Sequence, residues 1–110
     1  RVGKENLESV SIGCLIIKYD ELLIEDGKNS FNLTPRESEL LKYLVDHQNT
    51  VVKREQILEE LWGQNDYFLG RSMDVFISRL RKYLQAESSI HLETKRGVGF
   101  ILKTGSHTPV

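Results

Sequence analysis

The stretch Arg71–Leu84, RSMDVFISRLRKYL, decides the fold of this 110-residue chain. Wound as a helix at about 100° per residue, it puts Met73, Ile77, Leu80 and Leu84 on one side. Ser72, Val75, Phe76, Arg79 and Lys82 fall on the other. The first stripe is a core face. The second mixes guanidinium, ammonium, hydroxyl and apolar groups, the combination that reads base edges in a DNA major groove. An ordinary amphipathic helix with a solvated basic face has the same pattern, so the choice rests on the flanking sequence.

Upstream, Gln64, Asn65, Asp66, Tyr67, Phe68, Leu69 and Gly70 read as a loop carrying two exposed aromatics, Tyr67 and Phe68. Before it, Arg54 to Trp62 reads as a helix with Ile57, Leu58, Leu61 and Trp62 inward, ended by Gly63. Asn49 to Val52 is a break, with Val51-Val52 a short extended piece. Thr34-Pro35-Arg36-Glu37 is a strong helix start. Thr34 caps, Pro35 suits the first helical position, and Glu37 completes a capping box. Leu40, Leu41, Leu44 and Val45 then form an apolar face up to about His47. Ser11 to Leu33 is rich in β-branched and apolar residues and reads as three or four short antiparallel strands, with Asp26-Gly27 as a hairpin signal. Residues 1–10 read as a linker remnant.

Downstream, Ile90, Leu92 and Thr94 alternate with His91 and Glu93, a strand period. Lys95-Arg96-Gly97-Val98-Gly99 reads as a turn, and Phe100 to Lys103 as the returning strand. Residues 104–110 read as a disordered polar tail. The order is a small sheet, three helices and a hairpin with a basic tip: an α+β winged helix-turn-helix spanning 11–103.

Charge is unevenly placed. Residues 1–70 hold eight Lys/Arg against thirteen Asp/Glu, residues 71–110 seven against three. The acidic part is expected to face away from a polyanion, or toward another partner. No apolar run approaches the roughly 18 residues of a membrane span. Cys14 is the single cysteine, which fits a reducing cytoplasm. It is expected to be a buried small hydrophobe. The chain begins with Arg1 and reads as a piece of a longer polypeptide.

Helix and wing divide the expected contacts. Arg71 and Ser72 suit phosphates at the helix start. Val75 and Phe76 suit thymine methyls, and Arg79 suits guanine O6 and N7. Arg81, nearer the core flank, suits a phosphate or an intramolecular partner, and Lys82 a phosphate. Lys95 and Arg96 form the wing tip, with Arg96 placed to enter a minor groove. Asp74 is read as complementing the helix dipole in the first turn. His47, His91 and His107 are scattered without ligand spacing, and no phosphate loop or nucleophile elbow is present. Neither catalysis, a cofactor nor a metal is expected. The rival class is a winged-helix module whose third helix grips a protein. Phe76 and the negative net charge favour it; Arg79 and Arg96 together oppose it.

Four motifs, LTPRESELLKYL, VVKREQILEELWG, RSMDVFISRLRKYL and ETKRGVGF, occur in an order and spacing that resemble the C-terminal effector domain of the OmpR/PhoB family of bacterial response regulators. The resemblance covers about residues 11–103. It implies a four-stranded N-terminal sheet and a winged helix. It implies double-stranded DNA binding as a head-to-tail homodimer on direct-repeat promoter sites. It also implies a receiver domain before residue 1, controlling dimerisation through aspartyl phosphorylation. Residues 64–70 match a loop that touches RNA polymerase in some members. By position, Arg71, Ser72, Val75, Phe76, Arg79 and Arg81 match recognition-helix contacts. Thr94 and Arg96 match wing contacts, and the backbone N–H of Trp62 matches a phosphate contact. Lys53 stands where the family often has a serine cap, so the second helix is expected to start less firmly.

Overall fold

The computed structural model describes residues 9–63 and 67–104, with the backbone alone at 67–70. Four strands come first: Ser9–Ile12 (β1), Leu15–Lys18 (β2), Leu23–Glu25 (β3) and Ser30–Asn32 (β4). They form an antiparallel sheet in sequence order. The register aligns Val10, Ile17, Ile24 and Phe31 in one row across all four. Period-2 alternation explains which way they point: Leu15 and Ile17 are buried while Ile16 between them is exposed. The Asp26-Gly27 hairpin is present. The Asp26 carboxylate accepts the N–H groups of Lys28 and Asn29 at 2.9 and 2.6 Å, a side chain standing in for backbone in a turn.

Pro35–Asp46 (α1) begins as its sequence demands. The Thr34 hydroxyl accepts the Glu37 N–H at 3.2 Å, and the Glu37 carboxylate accepts the Thr34 N–H at 3.0 Å. Val52–Lys53 (β5) leads directly into Arg54–Trp62 (α2). Lys53 gives α2 no side-chain cap bond, as expected of a lysine there, and Gly63 ends it in the left-handed region at φ 76°.

Tyr67–Leu84 (α3) is longer than its sequence suggests. Tyr67, Phe68, Leu69 and Gly70 are helical, not loop, while Gln64, Asn65 and Asp66 lie outside the described residues. A helix-interior glycine costs about 1 kcal/mol relative to alanine. That is too little to stop a helix whose remaining turns are packed. His91–Lys95 (β6) and Gly99–Lys103 (β7) make the wing hairpin, and β5 pairs with the other edge of β7. The turn is tighter than expected: Lys95 and Gly99 both belong to the ladder, facing each other, and the Val98 N–H reaches the Lys95 carbonyl at 2.9 Å.

The core lies where three layers meet. Leu15, Ile17 and Ile24 come from the sheet, Leu40, Leu41 and Leu44 from α1, and Ile57 and Leu58 from α2. Met73, Ile77, Leu80 and Leu84 come from α3, and Leu92, Phe100 and Leu102 from the wing. The stripe read from Arg71–Leu84 is therefore the core face of α3. Leu61 and Trp62 reach the core only in part. Two ties join the sheet to the last turn of α3 and the segment that follows it. Phe31 stacks on Tyr83 with centroids 5.2 Å apart, and the N–H of Cys14 donates to the Glu87 carboxylate at 2.6 Å. Cys14 is exposed, contrary to the expectation of burial. It sits in the β1–β2 turn, where the alternation that buries Leu15 has not begun.

The outer boundaries shift slightly. Ser9 and Val10, expected in the linker, are strand residues. Thr104, expected in the tail, is held by Asn49, whose side-chain oxygen accepts its N–H at 3.0 Å. The rest of the expected linker and tail lies outside the described residues.

Candidate nucleic-acid interface

Opposite its core stripe, α3 exposes Arg71, Val75, Ser78 and Lys82 along one ridge. Val75 is 50% exposed, more than the other large apolar residues of the described chain. Three flanking residues turn sideways. Phe76 is half-buried and meets Trp62 of α2 edge-on, with centroids 6.3 Å apart. Expected on the reading face, it packs in part against the C-terminal end of α2 instead. Ser72 is also half-buried. Arg79 leans toward α1, where its Nη1 meets the Glu37 carboxylate at 3.3 Å.

The other flank faces the wing. Arg81 donates through Nε to the Leu92 carbonyl and through Nη2 to the Thr94 hydroxyl, both at 2.9 Å. Of the two roles open to Arg81, the intramolecular one is the one present. Thr94 is exposed but shares its hydroxyl with this bond. Asp74 does not complement the helix dipole as its sequence position suggests. Because α3 begins at Tyr67, Asp74 lies beyond the first turn and instead binds Arg54 at the start of α2. Both guanidinium Nη atoms approach its carboxylate at 2.8–3.0 Å. Arg54 also lies 5.7 Å over the Phe100 ring.

Between these parts runs an open groove of about 530 Å³, lined by Arg54, Asp74, Thr94, Arg96, Val98 and Phe100 among others. Arg96 is exposed in the wing turn, next to Gly97 at φ 74°. Lys95 is partly exposed and pairs with Glu93 at 3.3 Å. The paired cations Lys95 and Lys103 hold the Glu93 carboxyl below its ordinary value. Acidic charge is not wholly remote, as expected of the N-terminal part: Glu55 joins Asp74 on the groove wall.

Trp62 ends α2, where a backbone N–H points back along the helix. Its indole donates to Glu39 at 3.0 Å, and the Arg36 guanidinium sits 5.0 Å over its ring, a cation–π geometry. Three residues of this surface escaped the sequence reading. Ser78 could have been found, since it lies within about 60° of Val75 on the helical wheel. Arg36 and Arg54 could not, because their partners are distant in sequence. The arrangement brings together Arg71, Val75, Lys82, Lys95 and Arg96 on a surface flanked by Arg79. It turns Phe76 and Arg81 to structural work. Among the described residues no group of His, Cys, Asp or Glu is arranged to hold a metal, and no helix is long and apolar enough to cross a membrane.

Residues 27–102 match the family described as "Transcriptional regulatory protein, C terminal". This chain belongs to that family, the C-terminal effector domains of OmpR/PhoB-type regulators. The effector domain is 38% identical over 104 residues to the transcriptional regulatory protein RprY of Bacteroides fragilis, covering 93% of this chain and 44% of that protein. Among solved structures, it resembles the DNA-binding domain of Klebsiella pneumoniae RstA in complex with the RstA box. There the TM-score is 0.69 and the identity 27%, over 88% of this chain and 98% of that one. It also resembles the response regulator DrrB, a Thermotoga maritima OmpR/PhoB homologue, with TM-score 0.70 and 26% identity, over 91% of this chain and 46% of that one. The chain spans less than half the length of the curated relatives it matches.

Proposed function

We propose that this effector domain binds double-stranded DNA sequence-specifically and regulates transcription as the output of a two-component response regulator in the cytoplasm. The ridge of α3 enters the major groove, and the wing turn sets Arg96 in the neighbouring minor groove. What supports this most is the mixed cationic and apolar ridge of α3, standing beside a basic hairpin turn in a member of this family. A protein-gripping module needs neither a cationic ridge nor a separate basic turn.

The contacts divide by chemistry. Arg71, Ser72, Lys82 and Lys95 hold phosphates and fix register, whereas the Trp62 N–H, expected to do so, is directed into its own helix. Val75 and Arg79 read base edges, and Arg96 reads groove width. Phe76, Arg81 and Thr94 act from behind by fixing α3 and the wing. Two copies bind head to tail on direct-repeat sites, governed by a receiver domain in the longer protein. Residues 64–70 meet RNA polymerase.

Selection of bound fragments from random duplexes, followed by salt titration on the winner, tests the proposal. A direct-repeat site and a log K falling by about 0.9 per phosphate contact against log salt are expected. Arg79→Ala should relax preference at one base pair, weakening specific binding by about 1–3 kcal/mol. Arg96→Ala should weaken binding most beside A·T-rich flanks. Salt-independent binding, or equal affinity for all duplexes, rejects the proposal.

A further inference from the structure

Glu37 carries two duties on one carboxylate. Its Oε1 accepts the Thr34 N–H and so closes the capping box of α1. Its Oε2 receives Nη1 of Arg79. The Glu37 side chain is 1% exposed and that of Arg79 54%. One partner is therefore fixed in the interior and the other stands at the surface beside the reading ridge.

We propose that Glu37 is a positioning residue for sequence discrimination, holding the Arg79 guanidinium through Nη1 so that its remaining N–H groups are aimed before DNA arrives. This rests on reading Arg79 as a base contact. An untethered arginine spreads over many rotamers, most of which miss any given base edge. Ordering it in the free protein removes that loss from the binding step. The planar fork suits a tether, because one nitrogen binds the carboxylate while the other N–H groups stay available. Charge works in the same direction. The Glu37 carboxylate offsets the Arg79 charge, which weakens attraction to any phosphate while leaving the directional donors in place. Both effects raise the ratio of specific to random binding more than they raise affinity. The carboxylate is also held from the other side by the Thr34 backbone N–H at 3.0 Å, a bond that does not depend on the Thr34 side chain.

Glu37→Gln separates the two duties, because glutamine also serves in a capping box but does not offset a guanidinium. The 110-residue chain is titrated with the duplex selected above, its single-base-pair variants and a random duplex, across salt. The expected result is a fold close to the parent's. Discrimination should fall roughly threefold or more at the base pair that Arg79→Ala relaxes, the size of coupling between contacting residues. Random-duplex affinity should rise with a steeper salt slope. Thr34→Ala is the control: it should lower the melting temperature yet keep discrimination, since the carboxylate stays on Arg79. Parental discrimination in Glu37→Gln overturns the positioning role, as does an equal loss in Thr34→Ala. If Arg79→Ala relaxes no base pair, the base contact and the positioning role fall together. Should Glu37→Gln not fold, Arg79→Lys decides. It keeps the ion pair but has no second edge to present, and parental discrimination in that variant overturns the proposal.

Discussion

A Cβ on Gly99 would overlap the Val52 carbonyl oxygen and lie 2.8 Å from the Lys53 Cα. The β5–β7 pairing thus requires bare backbone at this position. Gly99→Ala forces the strands apart and should destabilise the domain by about 1–3 kcal/mol, the usual penalty of overpacking. Thermal denaturation would show it, and parental stability would mean that β5 yields easily. The sequence marked Gly99 for a different reason, as one of two turn glycines. A turn glycine and one under a neighbouring carbonyl look alike until the partner strand is known. Phe76 and Cys14 teach the same lesson. Periodicity put Phe76 outside the core stripe correctly, but only the placement of Trp62 decides that it packs. The apolar run around Cys14 suggested burial, yet a turn residue follows the turn and not the run.

Elements were legible where their signals are local. The α1 capping box spans four residues, so Thr34, Pro35 and Glu37 announced it unaided. The start of α3 was not legible, because glycine propensity is weak against tertiary packing and Gly70 gave a false boundary. Neighbouring cations on α3 also divide by flank. Arg81→Ala leaves the Leu92 carbonyl and the Thr94 hydroxyl without their donor and should lower stability by about 1–3 kcal/mol. Lys82→Ala removes only an exposed side chain and should change stability by under about 0.5 kcal/mol. It should also make the salt slope shallower by about 0.9. Denaturant melts and salt titrations on the pair check this, and interchanged phenotypes would reject the assignment of flanks.

Across the whole molecule, Glu87 straps the first sheet to the segment after α3. Ser89 donates its hydroxyl and N–H to one carboxylate oxygen, at 2.6 and 3.2 Å, while Cys14 donates to the other. The Ser89 hydroxyl most of all, then the Cys14 N–H, hold the carboxyl down to about 2 from an ordinary 4.5. Its folded pKa lies below the unfolded one, so its contribution is complete above about pH 4.5 and is lost as pH falls toward 2. Asp26 is lowered by the Asn29 and Lys28 N–H groups and acts in the same direction. Melting temperature should therefore drop through this acid window, and Glu87→Gln should make the drop shallower. An unchanged profile would show that the strap does not bear on folding. Nothing in the sequence pointed to it, since Cys14 and Glu87 are 73 residues apart.

The join between β5 and α2 has no spare residue: Lys53 ends the strand and Arg54 opens the helix. The wing sheet and α2 are thus joined directly, and the Arg54–Asp74 ion pair links them to α3. Under the proposed docking, these joins set the spacing between the α3 ridge and the wing turn. A duplex whose groove spacing does not suit it must itself bend or twist, and the stiffness of the base steps between the contacts becomes part of what is recognised.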